Sequence, residues 1–134
     1  MFNSKMFKNI NSNCQIEIKN EYDLHCRVVK FLRKRYPDLI LIVGLGELQD
    51  TSSKRVSAYN KGYKGGQPDL MLVHANKQYS GMAIEFKNPN RTGRLSSKQE
   101  SFLSDMHSRC EYQVLVSNDY EEILISILEY MDID

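Results

Sequence analysis

Two short apolar runs separated by a polar turn constrain this chain more than anything else in it. Asp69-Leu70-Met71-Leu72-Val73-His74 is followed by a turn over Ala75 to Gln78, and then by Gly81-Met82-Ala83-Ile84-Glu85-Phe86-Lys87. Runs of this length, bounded by turn residues, predict two antiparallel strands with a short connection. Side chains alternate along a strand, so Met82, Ile84 and Phe86 take one face while Ala83, Glu85 and Lys87 take the other. At about 3.3 Å per residue, Glu85 and Lys87 stand about 7 Å apart on that face. An acid inside a segment otherwise apolar from Met82 to Phe86 is costly unless it has a partner.

Other elements group around this pair. Asn20 is a good N-cap with Asp23 three residues on, and Leu24, Val28, Phe31 and Leu32 recur at helical spacing until Tyr36-Pro37. Leu39 to Val43, between Pro37 and Gly44, reads as a strand, and the polar, basic stretch 51–64 as a short exposed helix ending near Gly62. After a loop rich in Asn, Pro and Gly, Asn88 to Gly93, a helix is predicted from Ser97 to about Arg109 with Phe102, Leu103 and Met106 inward. Tyr112 to Ser117 reads as a further strand and Tyr120 to Met131 as a closing amphipathic helix. The order α, β, α, β, β, α, β, α describes an α/β fold, a mixed sheet flanked by helices.

At 134 residues and 41% hydrophobic content, the chain suits one domain with a core of its own. No apolar stretch approaches the ~20 residues that cross a bilayer, and Met1 to Asn13 lacks the apolar centre of a signal peptide. An intracellular protein without membrane association is expected. Cys14, Cys26 and Cys110 are odd in number and lack metal-ligand spacing, so they read as reduced thiols. The net charge of +1 conceals a division: all 18 bases fall in residues 1–110 against 10 acids, while residues 111–134 hold 7 acids and no base. A polyanion is drawn to the first part and repelled by the last, although a solvated acidic helix beside an ordinary basic surface explains the same numbers.

The chemistry rests on spacing. With Asp69 at the start of one strand and Glu85 near the end of its neighbour, both carboxylates reach one hard cation, Mg²⁺ or Mn²⁺. Such an ion polarises a phosphoryl oxygen and lowers the pKa of a bound water, and Lys87 is poised to orient that water or pair with a phosphate. Asp69 after Gly66-Gln67-Pro68 is equally a turn residue, and Glu85 with Lys87 equally an exposed strand pair, when each is considered alone. Glu21, three and seven residues before Leu24 and Val28, falls on the buried face of the first helix, either as a further ligand through water or as a favourable charge at a helix start. Gln99 shares a face with Phe102, Leu103 and Met106. It serves either the phosphate or attacking water, or a capping box with Ser96.

Lys54, Arg55, Lys61 and Lys64, interleaved with Tyr59 and Tyr63, suit a backbone phosphate or a frayed base as well as a plain solvated helix. Arg91, Arg94 and Lys98 join them as candidate DNA contacts. Gly44-Leu45-Gly46 is too short for a phosphate loop, and His25, His74 and His107 lack ligand spacing, so they read as surface or packing residues.

The series Glu21, Gly66-Gln67-Pro68-Asp69-Leu70, Ile84-Glu85-Phe86-Lys87 and Leu95-Ser96-Ser97-Lys98-Gln99 resembles the VRR-NUC (virus-type replication-repair nuclease) domain of the PD-(D/E)XK nuclease superfamily. The resemblance spans about residues 20 to 130, leaving 1–19 as an extension without an assigned role before a nuclease domain at 20–134. It implies a restriction-endonuclease-like sheet and a Mg²⁺- or Mn²⁺-dependent DNA nuclease. Asp69 and Glu85 would be ligands and Lys87 the catalytic lysine, with Glu21 and Gln99 in support and the backbone carbonyl of Phe86 completing the metal shell. Stand-alone members resemble Holliday junction resolvases and tend to be homodimers, which implies a homodimer acting on junctions or flaps in replication, recombination or repair. A viral source would fit this family. Two other readings are a catalytically silent DNA- or partner-binding module on the same fold, and a restriction-type enzyme, for which no base-reading element is evident. Ser108-Arg109-Cys110 stands where relatives often place a glycine, which leaves the end of that helix open.

Overall fold

The computed structural model describes residues 17–44, 51–90 and 93–132. Helix α1, Glu21–Arg35, starts where Asn20 accepts the Asp23 N–H at 2.8 Å and Asp23 accepts the Lys19 N–H at 3.1 Å. It stops at Tyr36 because Pro37 cannot continue it. Strand β1 is Ile40–Val43, and helix α2, Ser52–Asn60, is capped by the Thr51 hydroxyl. Gly62 then turns the chain with φ +107°, close to the expected end of this helix. Strands β2 (Leu70–Val73) and β3 (Gly81–Phe86) follow, then helix α3 (Ser97–Cys110), strand β4 (Tyr112–Ser117) and helix α4 (Tyr120–Asp132). The sheet runs β1-β2-β3-β4, antiparallel up to β3 and parallel between β3 and β4, with α3 as the crossover. This is the α/β arrangement expected from the order of elements, a mixed sheet with four helices around it among the described residues.

Alternation along the strands divides the core. Leu70, Leu72, Met82, Ile84 and Phe86 meet Leu24, Val28 and Leu32 of α1 and Ile123, Ile127 and Tyr130 of α4. On the opposite face Ala83 meets Leu103 and Met106 of α3, with Met71, Phe102 and Val114 around them. Strand β3 is therefore buried along its whole length, and truncating any of its larger apolar side chains to alanine costs about 2–5 kcal/mol. Glu85 belongs by alternation to the α3 face. Strand β1 forms one edge of the sheet and is largely exposed, with Ile40 at 62% and Ile42 at 46%.

The end of α3 lacks the glycine usual at such a position. Glu111 instead takes the left-handed conformation, φ 59° and ψ 37°, and its N–H closes on Met106 O. A non-glycine residue in that region costs about 1 kcal/mol. Cys26 and Cys110 are free and exposed, in line with reduced thiols. Cys14, most of the extension 1–19, Leu45, Gly46 and Arg91 lie outside the described residues. No helix among the described residues is long and apolar enough to cross a membrane.

Candidate active site

Past the last paired residues of β2 and β3, Leu70 and Ile84, the two strands are joined by side chains. The Phe86 N–H donates to Asp69 Oδ2 at 2.9 Å, and the Asp69 N–H donates to Glu85 Oε2 at 3.2 Å. Each acid is thus held by backbone of the other's strand. Glu85 is 4% exposed, whereas Asp69 is half-buried and lines a hollow of about 390 Å³ together with Gly66, Lys98 and Gln99.

Burial is the main reason the Glu85 carboxyl is raised from its ordinary 4.5 to about 7, with repulsion from Asp69 next. Lys87 and the hydrogen bond from the Asp69 backbone work in the opposite direction. The Lys87 ammonium is 3.9 Å from Glu85 Oε1 and also donates to Arg94 O at 3.4 Å.

Gln99 forms the capping box that its spacing allowed, and its other end reaches Glu85. Its Oε1 accepts the Ser96 N–H at 2.9 Å and closes the capping box, while its Nε2 donates to Glu85 Oε1 at 2.8 Å. The start of α3 and the buried acid are therefore one unit. Gly66 makes this possible: with φ +93°, it lies where a Cβ would come within 2.4 Å of Lys98 O. Gly44 serves the other side, its N–H bonded to Asp69 O at 3.1 Å and its Cα so close that a Cβ would meet Pro68 O at 2.4 Å. Neither contact is a phosphate loop.

Two carboxylates and nearby backbone carbonyls are hard oxygen donors of the type a divalent cation takes. Among the described residues no group of three or more His, Cys, Asp or Glu is placed to hold a metal ion by itself. Such a cation would accordingly keep water and substrate oxygens in much of its shell, as Mg²⁺ does in phosphoryl-transfer sites.

The family model for the VRR-NUC domain matches residues 8–119. The chain belongs to the VRR-NUC family. A solved structure described as a VRR_NUC domain protein superimposes with a TM-score of 0.68 at 16% identity, covering 88% of this chain and 93% of that one. That likeness bears on the fold alone. Among curated proteins none matches the chain significantly.

In this VRR-NUC domain Asp69, Glu85, Lys87 and Gln99 come together. Glu21 departs from expectation: it is exposed rather than inward, because the first turn of α1 is not covered as its middle is. It still lines a small pocket of about 20 Å³ with His25, Asp69 and Phe86. His25 is a packing residue as expected, its ring 4.7 Å from that of Phe86, but its position beside Asp69 was not legible from ligand spacing. Of the candidate DNA contacts, Arg55, Lys64 and Lys98 line one cleft between α2 and the start of α3. Lys54, Lys61 and Arg94 are exposed and do not line it.

Proposed function

We propose that this VRR-NUC protein is a Mg²⁺- or Mn²⁺-dependent, structure-selective DNA endonuclease acting on branched or flapped DNA in replication, recombination or repair. The observation that carries the reading is the pair of carboxylates itself, the buried Glu85 and Asp69, each hydrogen-bonded to backbone of the other's strand. A shared divalent cation is the simplest counter-charge for two such acids. Asp69 and Glu85 would hold it with the Phe86 carbonyl, and Glu21 would reach it through water. When bound, the ion supplies polarisation of the scissile phosphate and a more acidic water. Lys87 then orients that water or neutralises a phosphate oxygen, and Gln99 fixes the Glu85 carboxylate by donating to Oε1.

A homodimer in which two sites face two strands is part of this proposal. Its support is the apolar rim on the β1 edge, where Ile40 and Ile42 lie beside Val73, which is 38% exposed. Light scattering at micromolar concentration checks it, and a monomer there removes it.

The deciding experiment is a panel of labelled junctions, flaps, single strands and plain duplexes with Mg²⁺ or Mn²⁺. Cutting of branched forms should disappear in Glu85→Gln and Lys87→Ala with circular dichroism unchanged. Salt-sensitive binding without cleavage under any divalent ion would mean a silent binding module instead.

A further inference from the structure

A hollow larger than the one at the carboxylates lies beside it. It is a cleft of about 950 Å³ between α2 and the first turns of α3, near the top of the ~300–1,000 Å³ range of ligand sites. Three aromatic rings, Tyr59, Tyr63 and Phe102, and three cations, Arg55, Lys64 and Lys98, line it. Among the described residues no carboxylate does. Tyr63 and Lys98 also line the hollow at Asp69, so the two spaces are adjacent and share a wall.

Helix α2 has no buried residue, and Tyr59 is 74% exposed. An exposed aromatic ring beside bases, at the margin of an acidic site, has an obvious complement. In a duplex the base faces are covered by each other, and a protein surface meets phosphates, sugars and the base edges in the grooves. In a single strand both the faces and the phosphates are available, and sequence-tolerant stacking of bases on aromatic rings over a basic groove is how such strands are held.

We infer that this cleft is a single-strand subsite: it takes unpaired nucleotides of the DNA, one base stacked on Tyr59 and the backbone phosphates on Arg55, Lys64 and Lys98, and leads the strand to Asp69. The inference rests on the nuclease reading and deepens it. It names an unpaired segment next to the scissile phosphate as the feature the enzyme selects. Flaps and frayed branches satisfy the requirement, whereas a blunt, fully paired duplex does not.

The test measures binding in EDTA, so that cleavage does not enter. Fluorescence anisotropy compares labelled oligo-dT, a duplex with a single-stranded tail, and a blunt duplex, using the full chain. Tyr59→Ala should weaken oligo-dT and the tailed duplex about tenfold, the loss of one base–aromatic stack, and leave the blunt duplex unchanged. Tyr59→Trp should retain wild-type affinity for the tail. Equal weakening on tailed and blunt DNA, or no weakening on either, overturns the inference. A change in sedimentation caused by Tyr59→Ala also overturns it, because the cleft would then be filled by a second copy. Mg²⁺-dependent cutting lost in Glu85→Gln reports separately on the nuclease reading, so the failure of one is not mistaken for failure of the other.

Discussion

Replacing Asp69 with asparagine should make the metal-free protein more stable while removing its response to metal. The shift of the Glu85 carboxyl from 4.5 to about 7 corresponds to roughly 3 kcal/mol against charging it in the folded state. Burial is the larger cause and Asp69 the second, so asparagine relieves a part of this penalty, on the order of 1 kcal/mol. Asparagine keeps an oxygen for the Phe86 N–H, so the link between strands survives. Because the folded pKa of an acid is raised here, the fold binds more protons than the unfolded chain between about pH 4.5 and 7, and that contribution to stability is lost as pH rises through this window. At pH 8 in EDTA, Asp69→Asn should therefore melt about 4 °C above wild type, by the usual conversion for a domain of this size. At pH 5, where Glu85 is mostly protonated, the difference should nearly vanish. Saturating Mg²⁺ should raise the wild type alone, by mass action. Urea denaturation and thermal melts at both pH values measure all of this. A variant less stable than wild type at pH 8, or a difference equal at the two pH values, would refute the electrostatic account.

Gln99→Glu retains the acceptor of the capping box but removes the donor to Glu85, so half-maximal cutting should need ten- to a hundredfold more Mg²⁺, on the order found for partners of metal ligands. Protons and the cation compete for Glu85, so the pH of half-maximal activity should fall as Mg²⁺ rises, by up to about one unit per tenfold; a midpoint insensitive to Mg²⁺ contradicts this. Glu111→Gly places the residue best suited to left-handed backbone at the end of α3 and should add about 1 kcal/mol in urea titrations. Gly66→Ala should cost about 2 kcal/mol or more and depress activity with it, since the new methyl group collides with Lys98 O and lifts Gln99 from Glu85.

The helices and strands were legible because this small fold buries β3 on both faces and leaves the outer faces of α1 and α4 wet, so apolar spacing follows element type closely. Glu85 stood out for the same reason, as an acid inside an apolar run. Gln99 was read as either a cap or a site residue because one-dimensional spacing treats a side chain as having one partner, and a primary amide has two ends. Glu21 was misplaced because helical phase says which side a residue faces but not whether anything covers the helix at that height. Gly66 was legible as part of a motif, but the steric roles of Gly44 and Gly66 were not, since they lie in atoms of Pro68 and Lys98 that only the folded chain brings within reach.

The exchange of bonds between Asp69 and Glu85 across the strand ends also means that, under the proposed function, the same atoms serve as clasp and as reaction centre. Where an acid is kept only for chemistry, drift can replace it with almost any residue once activity is no longer selected. Here an apolar replacement at position 69 would open the sheet beside its most buried strand, and only a close amide substitute would leave it shut. Lineages that abandon cutting should therefore pass through asparagine at this position, and inactive copies should be well-folded proteins rather than debris.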